Sequence, residues 1–81
     1  MNKTGKAIDL LRQGKFPEAL AIIAKFRIGF TKEEKRVLEI AHESLAGNAT
    51  MYRSMGIDTD LCIRKAKDIV SSKYNVKQQE Q

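Results

Sequence analysis

One histidine, one cysteine and ten carboxylates are the side chains from which this chain would have to build catalytic or metal chemistry. His42 has no second histidine, and no cysteine at ligand spacing, to complete the three or four ligands of a zinc site. It falls about one turn after Leu38, at the edge of an apolar helical face, where an imidazole serves packing. Cys62 has no second cysteine for a disulfide or a metal cluster and no base close in sequence. It lies on the apolar side of its segment and reads as a small buried hydrophobe. Glu33, Glu34, Glu39 and Glu43 cannot all converge on one point, and three of them have Lys or Arg neighbours suited to surface pairing. Paired-carboxylate acid–base work therefore has no visible site. The glycines at 5, 14, 29, 47 and 56 are dispersed as helix punctuation, with no strand to present a phosphate loop. The expectation is a chain that is not an enzyme and that uses no metal and no cofactor.

The elements that must position any surface chemistry are helical. Residues 30–47, FTKEEKRVLEIAHESLAG, carry the clearest signals. Thr31 followed by Glu34 fits a capping box, Val37, Leu38, Ala41 and Leu45 recur at helical spacing, and Gly47 suits the left-handed residue past the end. Before this central helix, residues 1–29 predict two short helices. Ala7, Ile8, Leu10 and Leu11 form the apolar side of the first, with Asn2 or Thr4 as its cap and Gly14 as its stop. Pro17 opens the second at its first position, and Phe16, Ala19, Leu20, Ile23 and Phe26 form its apolar set. Arg27, Ile28 and Gly29 form a linker. After Gly47, Asn48 and Thr50 are two candidate caps for a segment of one or two turns ending at Gly56. Asp58 or Thr59 then caps a last helix whose buried side is Cys62, Ala66, Ile69 and Val70, with Tyr74 near its end. The sum is an all-α domain over residues 1–74, a small bundle of four to five short helices with the amino-terminal hairpin packed on the central helix. Residues 75–81, NVKQQEQ, have almost nothing to bury and are expected to fray.

At 81 residues the chain buries only roughly 60–65% of the surface of its unfolded form, so its core is modest. No apolar run approaches the roughly 20 residues of a membrane span, and the amino-terminal MNKTGKAIDLLRQG has no signal-peptide core, so a cytoplasmic location away from membranes is expected. The net charge of +5 is uneven: residues 1–29 hold six basic and two acidic groups (+4), residues 30–47 three and four (−1), residues 48–81 six and four (+2). This raises the weight of an acidic protein surface or nucleic acid as partner.

Three resemblances bear on function. Gln13-Gly14-Lys15-Phe16-Pro17-Glu18-Ala19-Leu20 resembles the mid-repeat junction of tetratricopeptide repeats, where small residues let two helices pack closely. Residues 47–53, GNATMYR, do not restate the pattern about 34 residues on, so no repeat array is expected. Residues 30–76 resemble the DNA-binding domain of LuxR-type regulators through Phe30-Thr31, Glu34, Val37-Leu38, Leu45, Met51, Met55-Gly56-Ile57-Asp58 and Ile69-Val70. That resemblance implies a helix-turn-helix dimer whose last helix reads the major groove with Thr59, Asp60, Arg64 and Lys65, and meets phosphate with Lys67. Leu61 and the acids Asp58, Asp60 and Asp68 lie along the same surface, which suits phosphate poorly. DNA is therefore the alternative partner. The order of parts over the whole chain, including Phe16, Glu18-Ala19-Leu20, Lys25-Phe26, Ala41-His42-Glu43, Tyr52-Arg53, Gly56 and Asp58, is similar to short helical proteins of phage and prophage regions. It implies a mobile-element accessory protein that binds and modulates a host protein or complex, with room for a homodimer. The residues a core does not explain are the expected contacts: Lys25, Arg27, Ile28 and Phe30 at the linker, and Tyr52, Arg53 and Met55 after the central helix.

Overall fold

Each helix starts where its sequence offers the free backbone amides a partner. The computed structural model describes residues 2–26 and 29–74, so Arg27, Ile28 and the tail 75–81 lie outside the described residues. Helix α1 (Lys3–Arg12) is capped by Asn2, whose Oδ1 accepts from the Gly5 amide at 2.7 Å. It ends in a Schellman arrangement: the Lys15 amide donates to the Leu10 carbonyl at 2.8 Å and the Gly14 amide to Leu11 at 3.1 Å. Gly14 has a φ of 78°, a conformation that a Cβ disfavours. The chain thus reverses into α2 (Phe16–Ile23), where Pro17 occupies the second helical position rather than the first.

Helix α3 (Lys32–Glu43) opens on the full capping box, with the Glu34 amide donating to Thr31 Oγ1 at 3.1 Å and the Thr31 amide to Glu34 Oε1 at 2.9 Å. A π-helical turn, Ser44–Asn48, follows, and Gly47 at a φ of 111° breaks the rod before α4 (Ala49–Ser54). One expected core position is corrected. Leu45 would follow Ala41 on the inner face at 3.6 residues per turn, but Ser44, three residues after Ala41, is the buried one and Leu45 is left 40% exposed. Neither candidate cap of α4 acts through its side chain: Asn48 makes no capping bond, and Thr50 contributes its carbonyl to Ser54 Oγ. Asp58 caps α5 (Thr59–Tyr74), its Oδ1 accepting from the Leu61 amide at 3.0 Å. Thr59, the other candidate, is buried.

Among the described residues there are only helices, four rods of which the third is broken into α3 and α4. The α1–α2 hairpin packs on α3, and α3 packs along α5 in the most extensive pairing of the molecule. The core comprises Ala7 and Leu11 of α1, Phe16, Ala19, Leu20 and Ile23 of α2, Leu38 and Ala41 of α3, and Ala66 and Val70 of α5. Val37, Ile63 and Ile69 close its edges half-buried, and Cys62, expected inside, is also only half-buried. Ala7, Ala19, Ala41 and Ala66 have no exposed surface, so methyl groups set the helix separations.

Two contacts fix the direction of α5 against α3. At one end the Phe30 ring, just before α3, meets Tyr74 edge-to-face with centroids 6.4 Å apart. At the other, Arg53 of α4 reaches Thr59 at the start of α5. The two helices are antiparallel, and the twelve residues of α3 separate the ends by about 18 Å.

Candidate partner-binding surfaces

That separation divides the contacts expected from sequence. Lys25 and Phe30 lie toward the start of α3, whereas Tyr52, Arg53 and Met55 lie beyond its end, and the structure does not bring the two groups into one patch. Phe30 is half-buried as a clamp between α3 and α5, with Tyr74 against its edge and Lys73 Nζ 5.5 Å from its centroid. The shallow opening beside it, about 460 Å³, is lined by both signs of charge, Glu34 and Asp68 with Lys73. Burial raises the Tyr74 phenol above its ordinary value.

Tyr52 is buried, with 5% of its surface exposed, and its hydroxyl donates to Glu43 Oε1 at 2.8 Å. It ties α4 back onto α3. The same hydrogen bond holds the phenol above its ordinary 10.0, helped by desolvation and by the negative charges of Glu43 and Glu39, with Arg36 opposing. A phenol raised on folding stabilises the native state below pH 10 and loses that contribution as pH rises through the folded value, because the unfolded chain ionises first. Urea unfolding at stepped alkaline pH should therefore show stability declining above about pH 10, with a shallower slope for Tyr52→Phe than for the parent. Equal slopes would contradict the assignment.

Arg53 crosses to α5: its Nε donates to Thr59 Oγ1 at 3.1 Å, and one terminal nitrogen lies 3.8 Å from Asp60 Oδ1. Its side chain stays 60% exposed. The same stretch of chain leaves large apolar side chains exposed. Met51 (51% exposed) lies on α4 and Met55 (62%) one residue past its end, Leu45 (40%) precedes them in the π turn, and Leu61 (40%) follows on the first turn of α5. Sequence reasoning chose Met55 alone of these. It missed Leu45 because the residue falls on the apolar arc of α3 yet sits at the end of the rod, two residues before the break at Gly47.

The residues named for DNA are split by α5 in the same way. Arg64 and Lys65 are exposed, on a ridge they share with Leu61 and Asp68. Thr59 points inward at 2% exposure, Asp60 faces Arg53, and Lys67 Nζ lies over the Phe16 ring at 5.5 Å. His42 on α3 and Cys62 on α5 are each half-buried, no hydrogen bond joins them, and neither lines an opening described here. No group of three or more His, Cys, Asp or Glu among the described residues is arranged to hold a metal ion. No helix among them is long and apolar enough to cross a membrane.

A second opening was not foreseen. Where the start of α1 lies beside the end of α2, a groove of about 370 Å³ is lined by Lys3, Lys6, Ala21, Ile22, Lys25 and Phe26. Lys25 was expected at a surface, but its neighbours come from a helix some twenty residues earlier, and only the hairpin puts them together. Compared with family models, curated proteins and solved structures, the chain matches none of them.

Proposed function

We propose that this chain is a non-enzymatic interaction protein that binds a protein partner through the end of the molecule formed by the π turn, α4 and the first turn of α5. The observation that carries this reading is the placement of exposed apolar surface. Among the described residues, the large hydrophobic side chains left exposed are Leu45, Met51, Met55 and Leu61, all in one short stretch, while Tyr52 within it is buried and holds α4 in place. Exposed apolar side chains concentrated in one stretch of the chain suit an interaction surface, and methionine packs adaptably against a partner. The charges here are mixed, Arg53 facing Asp60, which favours an apolar protein surface over phosphate. The resemblance to phage and prophage proteins supports reading that partner as a host protein that the chain modulates.

Affinity capture from source cells, compared between the parent and Met51→Glu/Met55→Glu, tests the proposal. The two substitutions sit on exposed positions, and their mutual repulsion costs the helix only about 0.2–0.5 kcal/mol, so the fold should persist by circular dichroism. The expected result is one protein enriched by the parent, retained at high salt, and lost with the variant. Capture that is equal for the two proteins refutes it. So does tight, steeply salt-dependent retardation of duplex DNA that is lost with Arg64→Glu/Lys65→Glu, the result that the helix-turn-helix alternative requires.

A further inference from the structure

We infer that the groove between the start of α1 and the end of α2 is a second binding site, separate from the α4 end, for an acidic peptide segment that carries a bulky apolar side chain. Its floor is Ala21, Ile22 and Phe26, all half-buried, with Ile22 and Phe26 one turn apart. Its rim is Lys3, Lys6 and Lys25, all exposed and none in an ion pair among the described residues. The first turn of α1 contains no acidic residue, so two ammonium groups sit where the helix dipole is already positive. Like charges gathered this way repel one another, and a bound anion relieves the repulsion. Asp9 and Glu18, the acids of the hairpin, do not line the groove.

Charge complementarity selects the occupant, and shape narrows it. Three ammonium groups call for carboxylates or phosphates. A phosphate backbone gains nothing from an apolar floor, and a bilayer surface is met by protruding side chains rather than by a concavity. A groove of about 370 Å³, small for a ligand site, accepts one large side chain with charged neighbours on either side. Leu or Phe flanked by Asp and Glu satisfies both parts. The lysines act as point charges that steer and hold the segment, and Ile22 and Phe26 supply the apolar contact.

The test uses a fluorescein-labelled octapeptide with Leu-Phe at its centre and Asp or Glu at the other six places, followed by fluorescence anisotropy and by amide chemical-shift mapping on the whole chain. Expected are saturable binding that weakens with salt, shifts concentrated at Lys3, Lys6, Ala21, Ile22 and Lys25, and a loss of about tenfold or more for Lys6→Glu/Lys25→Glu with unchanged melting. A peptide with Gly-Gly in place of Leu-Phe should bind more weakly, and one with Asn and Gln in place of the acids should not bind. Equal binding of the Gly-Gly peptide, shifts located elsewhere, or preference for a DNA duplex or for phosphatidylserine vesicles over the peptide overturns the inference. Met51→Glu/Met55→Glu should leave peptide binding unchanged, which separates this site from the α4 end.

Discussion

Leu38→Ala should bring the protein close to unfolding. Leu38 is 1% exposed and belongs to the core that α3 shares with the hairpin and α5. Deleting a buried leucine to alanine costs about 2–5 kcal/mol, from lost transfer energy and from the cavity left behind. A domain of 81 residues has a total stability of about 4–12 kcal/mol. At about 4–8 °C for each kcal/mol in a domain of this size, the midpoint of a circular dichroism melt should fall by roughly 10–30 °C. The loss should be near the upper end, since α3 packs against both the α1–α2 hairpin and α5. A shift of only a few degrees would show that the hairpin and α5 are stable without this contact.

The opposite change, Ala41→Leu, should also destabilise. Ala41 of α3 and Ala66 of α5 belong to one core cluster and have no exposed surface, so added methylenes have nowhere to go without forcing helices apart. Overpacking of this kind costs about 1–3 kcal/mol, and here it separates the two helices whose antiparallel packing holds α4 in place. Chemical denaturation should give a lower midpoint, and the Phe30–Tyr74 contact at one end and the Arg53–Thr59 bond at the other should loosen together. An unchanged midpoint would mean that the interface has slack that the packing of Ala41 denies.

The helices were legible in the sequence because their punctuation is local. Asn2, Gly14, the Thr31–Glu34 box, Gly47 and Asp58 each act within a few residues, and each has the expected role. Surfaces were less legible because they depend on rotation and on helix ends meeting in space. Just before the break at Gly47, Ser44 is buried and Leu45 exposed, although both lie on the arc that Leu38 and Ala41 define, so the count alone does not choose between them. Tyr52 looked like a contact residue because the apolar helix faces read from sequence did not account for it, but Glu43, one helix earlier, gives its hydroxyl a partner and the ring is buried. Lys3, Lys6 and Lys25 are far apart in the chain, and only the hairpin reversal at Gly14 gathers them around one groove.

The claim that the α4 end is the working surface is tested most directly by photo-crosslinking from within it. A benzophenone amino acid placed at Met55 or Leu61, and at Lys32 at the opposite end of α3, would be irradiated in source cells and the adducts identified by mass spectrometry. The expected result is one and the same protein joined to positions 55 and 61 and absent from position 32. Adducts to that protein from position 32, or its co-purification with no adduct from 55 or 61, would contradict the account.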